Sequence, residues 1–227
     1  MTSALQRLLA SRGIGDAGSS PAVLRRLALV LGLHTPDLFV IAGQPLPADL
    51  APARGPRAHS VGLLVTGALA LRPGDRREVH EFVRSLPVHR PAPEATPADP
   101  ADGPGPLLVR LLRNRNIHPA NAELLLLMGG PYVSDSTVVL LGQGEVEVTP
   151  QLVSGFAGIL GLHPDDLAAL TGVRPDPESR PHPYAPELSR LAWDARRLTG
   201  EQLSEVFRLV DSLSRAAGPP IVRTVSS

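Results

Sequence analysis

The sequence predicts an all-α protein, because helix-spaced apolar residues and helix-capping residues recur along the chain. Apolar residues repeat at spacings of three and four in many segments, as between Leu203 and Leu213, which is typical of a helix with one buried face. Ser20-Pro21 and Thr149-Pro150 each supply a cap followed by proline at the first helical position. Only residues 145–148 resemble a strand, and they lie between predicted helices.

The chain contains two copies of one plan, which predicts two helical lobes from an internal duplication. At an offset of 129 positions, Leu31-Gly32-Leu33-His34 recurs as Leu160-Gly161-Leu162-His163. Further matches at this offset are Pro21 with Pro150, Ala28 with Ala157, Asp37-Leu38 with Asp166-Leu167, and Gly43 with Gly172. Upstream, Arg7-Leu8-Leu9, Arg12 and Ile14 match Arg110-Leu111-Leu112, Arg115 and Ile117 at an offset of 103. The first copy therefore lacks a segment that the second has between Ile117 and Thr149.

Proline-rich stretches divide the chain into five predicted segments. Residues 1–87 form a truncated helical lobe, and residues 88–106 form a linker, since seven prolines lie between Pro87 and Pro106. Residues 107–173 form a helical domain, and residues 174–186 form a second Pro-rich connector. Residues 187–217 form a C-terminal helical hairpin, whose last helix has a capping box at Thr199 and Gln202.

Five helices are predicted in the helical domain, and their order suggests a helix-turn-helix. They lie approximately at residues 107–116, 120–128, 134–141, 150–160 and 164–171. The turn Gly129-Gly130-Pro131 separates the second helix from the third, and Gly142 and Gly144 are expected to end the third helix early. The truncated first lobe lacks the equivalents of helices two and three.

The residues of this domain resemble the Xre (Cro/repressor-like) family of helix-turn-helix regulators, in its actinobacterial form. The matching residues are Val133-Ser134, Ser136-Thr137-Val138, Leu141, Gly144, Thr149-Pro150 and the tail Leu160-Gly161-Leu162-His163-Pro164 with Asp166-Leu167. The resemblance covers about residues 107–173, and its tail matches again in residues 21–43. In this family the third helix enters the DNA major groove. The resemblance therefore implies DNA contacts by Ser134, Asp135, Ser136 and Thr137.

The charge of the domain opposes this implication. Between Arg115 and Arg174 there is no Lys or Arg, whereas six acidic residues lie in that stretch. Residues 1–87 carry a net charge of +4 and residues 107–227 a net charge of −2, so the lobe with the motif is the acidic one. Because DNA binding depends on neutralising phosphates, we expect weak or lost DNA binding. The alternative is a sequence-specific transcription regulator in which helix-one arginines contact phosphates, namely Arg110, Arg113 and Arg115, together with Arg25 and Arg26.

Apolar residues at normally exposed positions favour a regulator that acts mainly through protein association, as a homodimer or as the partner of another regulator. Val139 and Leu140 map to the outward face of the third helix, which indicates a protein interface or a contact with the first lobe. Segments after the DNA-binding unit of Xre-like regulators often mediate dimerisation. The resemblance therefore implies a dimer interface on the last helix, through Val206, Phe207, Val210 and Leu213.

Composition limits the remaining classes of function. The 227 residues are 43% hydrophobic but only 3% aromatic, which predicts a folded chain with an aliphatic core. The 22 basic residues, all arginine, balance 22 acidic ones, which argues against a general polyanion binder. The longest apolar run, residues 61–71, is shorter than the roughly 20 residues that span a bilayer. Residues 1–13 contain two arginines and do not resemble a signal peptide, so we expect a cytoplasmic protein.

No pattern indicates an enzyme, a cofactor or a metal site. The chain has no cysteine, and neither a nucleophile elbow nor a phosphate-binding loop is present. His34 and His163 recur at equivalent positions, but neither has a second histidine or a cysteine three or four residues away. Each histidine is instead expected to bond the backbone at the start of a helix. A leucine-rich pocket for a small molecule has no polar residues to support it.

Overall fold

The structure, a computed structural model, describes residues 2–55, 60–88 and 102–216. These residues form twelve α-helices and two short 3-10 turns, and they contain no strand. An isolated antiparallel bridge joins Ser60 to Ile117. The predicted all-α fold is confirmed. Residues 145–148, which resembled a strand, are neither strand nor helix.

Five helices form the N-terminal lobe. They are α1 (Ala4–Ser11), α2 (Pro21–Leu31), α3 (Thr35–Ile41), α4 (Val61–Leu69) and α5 (Pro73–Ser85), with a 3-10 turn at Ala48–Leu50. A capping box opens α1, where Ser3 and Gln6 exchange side-chain to backbone hydrogen bonds of 3.1 and 3.2 Å. The helix α2 ends at Gly32, whose φ of +66° suits glycine.

The next five helices form the central domain. They are α6 (Pro104–Arg113), α7 (Glu123–Leu127), α8 (Asp135–Gln143), α9 (Pro150–Leu160) and α10 (Pro164–Thr171), with a 3-10 turn at Pro119–Asn121 before α7. The last two agree with the predicted bounds because their caps and prolines are explicit in the sequence. The second predicted helix is split between the 3-10 turn and α7.

The predicted linker 88–106 ends too late. The helix α6 begins at Pro104, and Gly105 and Pro106 are buried in it. A side chain at Gly105 would collide with the carbonyl of Leu141, so this position lies directly against α8. Proline is compatible with the first turn of a helix, which is why a Pro-rich sequence did not mark the boundary. Residues 89–101 of the predicted linker lie outside the described part of the chain.

The C-terminal hairpin packs on the N-terminal lobe through α11 (Ala185–Ala195) and α12 (Gly200–Ala216). Both helices contact α4 and α5. The predicted capping box is present, since the Thr199 backbone N donates to Gln202 Oε1 at 2.9 Å and the Gln202 backbone N donates to Thr199 Oγ1 at 3.2 Å. One continuous hydrophobic core therefore includes residues from both lobes and the hairpin. Residue 217 of the predicted hairpin lies outside the described residues.

The N-terminal lobe and the central domain exchange two ion pairs. Arg12 donates to Asp166 through two hydrogen bonds of 2.8 and 2.7 Å. Arg115 donates to Asp37 through two hydrogen bonds of 3.0 and 2.9 Å. The two arginines occupy matching positions of the predicted repeat, and so do the two aspartates. The helix contacts show the same reciprocal arrangement: α1 of the N-terminal lobe packs on α10, and α6 of the central domain packs on α3.

Among the described residues, no helix is both long and apolar enough to cross a membrane.

Candidate functional site

The turn between α7 and α8 packs tightly on α9. Gly130 sits where a Cβ atom would lie 2.8 Å from the Leu125 carbonyl oxygen and 2.9 Å from the Gly155 Cα. Gly129 has a φ of +91°, a conformation that other residues rarely adopt. The glycines therefore allow α7 and the turn to cover one face of α9, and they set the position from which α8 starts.

The hydroxyl groups at the start of α8 bond one another and the helix backbone. Ser134 caps the helix, since its Oγ accepts the backbone N–H of Thr137 at 3.2 Å. Its Oγ also lies 2.7 Å from Ser136 Oγ and 2.9 Å from Thr137 Oγ1. Asp135 Oδ1 accepts the backbone N–H of Ala122 at 3.3 Å, just before α7. These residues, predicted as DNA contacts, lie on the surface, although Thr137 is half-buried.

The outward face of α8 is apolar and acidic. Val138 and Leu141 are buried on the inner side, whereas Val139 is 42% exposed and Leu140 37% exposed. Asp135 is exposed at the start of the helix, and Glu145 and Glu147 are exposed just after its end. We call these residues the α8 face: Asp135, Val139, Leu140, Glu145 and Glu147. The predicted exposure of Val139 and Leu140 agrees with the structure, which means that the N-terminal lobe does not cover them.

The end of α8 follows from its glycines. The helix stops at Gln143, and Gly144 has a φ of +80° as its C-cap. A Cβ at Gly142 would lie 3.1 Å from Val109 Cγ1, so this glycine lets α8 approach α6 closely. The helix is therefore short, and the acidic residues 145 and 147 follow directly beyond its C-terminus.

Arg115 is not available to contact phosphates, which corrects one predicted DNA contact. Its side chain is 0% exposed, and it donates to Asp37 and to the carbonyl oxygens of Leu111 and Leu160. Arg113 is exposed and Arg110 is half-buried. A phosphate-binding edge on α6 would therefore consist of two arginines instead of three.

Arg115 belongs to a buried polar network that the sequence analysis did not identify. Asn114 Nδ2 donates to Asp37 Oδ1 at 2.7 Å, and Arg196 Nη1 donates to Asn114 Oδ1 at 3.2 Å. Arg196 is 3% exposed and also donates to the Leu50 carbonyl oxygen at 2.8 Å. Burial lowers the pKa of Arg196 to about 10. The recurrence of Arg and Asp at matching repeat positions was the signal that could have indicated this network.

The two recurrent histidines differ in their surroundings. His163 Nδ1 accepts the backbone N–H of Asp165 at 3.3 Å, as predicted for the start of a helix. The same prediction is wrong for His34, which makes no capping bond and stacks on Trp193 with ring centroids 3.5 Å apart. Burial lowers the pKa of His34 below its usual value. Stacking on Trp193 of α11 therefore distinguishes the surroundings of His34 from those of His163.

The predicted dimer interface on α12 is largely internal. Val206 is 0% exposed and Val210 5% exposed, because α12 packs on α4 and α5 of the same chain. Phe207 and Leu213 are half-buried and also contact this core. The apolar stripe predicted the helix correctly, but its partner is the chain's own N-terminal lobe. Val206 and Val210 are therefore not available to contact a second chain.

The geometry gives little support to a metal site or a small-molecule site. No group of three or more His, Asp or Glu side chains in the described residues is arranged to hold a metal ion. A cleft of about 1580 Å³ lies beside α9 and α10, and Arg12 and Asp166 in its wall bond each other. Among the predicted sites, the α8 face is the one that keeps exposed apolar residues.

No protein-family model, curated protein or solved structure matches the chain. The similarity to Xre regulators thus rests on the residues and on the order of the helices alone.

Proposed function

We propose that the chain is an Xre-like regulatory protein that acts mainly through protein association, with weak or lost DNA binding. The observation that carries this proposal is the α8 face, on which Val139 and Leu140 are exposed between acidic residues. In an Xre regulator this helix would lie in the major groove. Here the helix has a surface suited to another protein.

Charge is the first argument for the proposal. A duplex presents a dense row of phosphates, so a helix that reads it needs nearby Lys or Arg. None stands between Arg115 and Arg174, and Arg115 itself is buried. Asp135, Glu145 and Glu147 would face the phosphates and repel them. Electrostatics therefore opposes DNA at this face.

Apolar exposure is the second argument. Covering the exposed parts of Val139 and Leu140 would contribute on the order of 1 kcal/mol each, at about 25 cal/mol per Å² of apolar surface. A protein partner with an apolar centre to its interface would supply this burial. The bases in a DNA groove offer less apolar surface. The acidic residues around these two side chains would then form a polar rim.

The alternative function is a sequence-specific DNA-binding regulator that uses α6. Its supporting observation is the exposure of Arg113, with Arg110 three residues earlier on the same helix. Under this alternative, Arg110→Ala with Arg113→Ala abolishes DNA binding. Reversal of charge on the α8 face would then have little effect.

The test reverses the charge of the α8 face with the substitutions Asp135→Arg and Glu145→Arg. We expect this double variant to bind duplex DNA at low salt at least tenfold more tightly than the original chain, because two repulsive charges become attractive. Filter binding or fluorescence anisotropy with a labelled duplex measures the change. A matched control places the same charges elsewhere, by Glu201→Arg and Glu205→Arg on α12. Equal gains in both variants, or no gain at the α8 face, would contradict the proposal.

A further inference from the structure

In the part of the chain that the structure describes, no element covers the outer face of α2, whereas α9 is covered. In the central domain, α7 and the following turn cover α9, so that Ile159 is 0% exposed and a Cβ at Gly158 would lie 2.8 Å from Met128 Cβ. The matching residues of α2, at the offset of 129, are Val30 and Leu29. Val30 is 72% exposed and Leu29 is 85% exposed. No other Val or Leu side chain among the described residues is as exposed. The N-terminal lobe has no counterpart of α7 to cover them.

The exposed residues of α2 form one apolar and basic face. They recur at helical spacing, and we call them the α2 face: Ala22, Arg25, Arg26, Leu29 and Val30. The helix contains no acidic residue. Arg25 donates to Asp49 at 2.9 Å, an ion pair in which both side chains are largely exposed. The face therefore has an apolar end at Leu29 and Val30 and a basic end, where Arg25 is paired with Asp49 and Arg26 adds positive charge.

The α2 face and the α8 face are complementary. Each has two adjacent exposed apolar residues, and their charges are opposite: arginines on α2, and aspartate and glutamates at α8. Opposite charges around an apolar centre favour encounter and orientation of two surfaces. Both faces are exposed in the same chain, so they do not cover each other within one molecule.

We propose that the α2 face of one copy docks on the α8 face of a second copy. The inference rests on the proposed function, since it uses the α8 face to bind protein, and it identifies the partner as this same chain. Leu29 and Val30 pack against Val139 and Leu140 of the second copy, while Arg25 and Arg26 approach the acidic residues there. The contact removes from water the apolar residues that each lobe leaves exposed.

This contact joins two different surfaces, so it is heterologous. Each copy in a pair keeps one unused face, which allows further copies to add until a ring closes or an open chain forms. The mass of the protein therefore rises with concentration beyond that of a dimer. Because exposed charges contribute to the contact, added salt weakens it.

The experiment uses two variants that each lose one face. Leu29→Glu disables the α2 face and Val139→Glu disables the α8 face; both positions are exposed, and circular dichroism checks that the fold is retained. Sedimentation velocity of the original chain should show masses above a dimer at high concentration. Each variant alone should be a monomer. Mixed together, they should form a complex of two copies and nothing larger, because one intact α2 face meets one intact α8 face.

A control and a charge exchange complete the design. Leu63→Glu, at a 53% exposed leucine of α4 outside both faces, should leave association unchanged. Arg26→Glu should weaken association at least tenfold, and adding Glu145→Arg to the same chain should restore part of the loss, because every contact then pairs the exchanged charges. No recovery in this double variant would contradict the predicted pairing.

Two other outcomes would overturn the inference. If the Val139→Glu variant still dimerises alone and Leu29→Glu does not, the contact is a symmetric one between two α2 faces. If the original chain stays monomeric at all concentrations, the partner is not a second copy. Neither outcome involves DNA, so failure of this inference is distinct from failure of the proposed function, which the binding of duplexes tests.

Discussion

Arg115 ties the N-terminal lobe to the central domain through a buried charge. Its side chain and that of Asp37 are both 0% exposed, and eight hydrogen bonds among Asp37, Asn114, Arg115, Arg196 and nearby carbonyl oxygens surround the buried charges. An arginine on a predicted surface helix is normally expected in solvent, so only the alternative function assigned Arg115 to a phosphate contact. In the structure, α3 packs against α6 and Arg115 is buried instead.

We expect Arg115→Ala to lower the free energy of unfolding by about 3–5 kcal/mol, because Asp37 would remain buried without its cationic partner. The matched control is Arg12→Ala, at the equivalent position of the predicted repeat. Arg12 is 43% exposed, so water can take the place of its guanidinium beside Asp166, and its loss should lower the free energy of unfolding less than the loss of Arg115. Urea denaturation measures both. Equal losses in the two variants would contradict the assignment of Arg115 to a buried network.

Helix boundaries were predicted well where capping residues are explicit. The bounds Pro150–Leu160 and Pro164–Thr171 agree with the sequence prediction, because proline and glycine act locally on the backbone. The partner of a helix is not a local property. The stripe on α12 could not show whether Val206 and Val210 pack within the chain or against a second chain, and the structure places both inside.

We expect Val206→Ala to lower the free energy of unfolding by about 2 kcal/mol, since it leaves a cavity between α12 and α5. Val139→Ala removes the same two methyl groups at a 42% exposed position and should cost less than about 0.5 kcal/mol. Thermal or urea unfolding measures the pair. A Val206→Ala variant that unfolds like the original chain but associates differently would restore α12 as an interface.

The whole chain combines a basic lobe and an acidic domain in one hydrophobic core. Each of the two contributes one arginine and one aspartate to the two ion pairs between them, as at an interface between two like subunits. The repeat offsets gave the matching residues, but only the fold brings Arg12 to Asp166 and Arg115 to Asp37. The α8 face was predicted from the sequence, whereas the uncovered α2 face followed only from comparing how α2 and α9 are packed.

The central claim is that α8 does not act as a DNA-reading helix. The binding of DNA duplexes by the original chain tests this claim most directly. Fluorescence anisotropy would compare a pool of duplexes from upstream of the chain's own gene with a scrambled duplex, at low and at physiological salt. We expect no binding that survives physiological salt and no preference between the duplexes, because the helix region lacks Lys and Arg. Tight binding that prefers the genomic pool and persists at physiological salt would contradict the claim and establish a DNA-binding regulator.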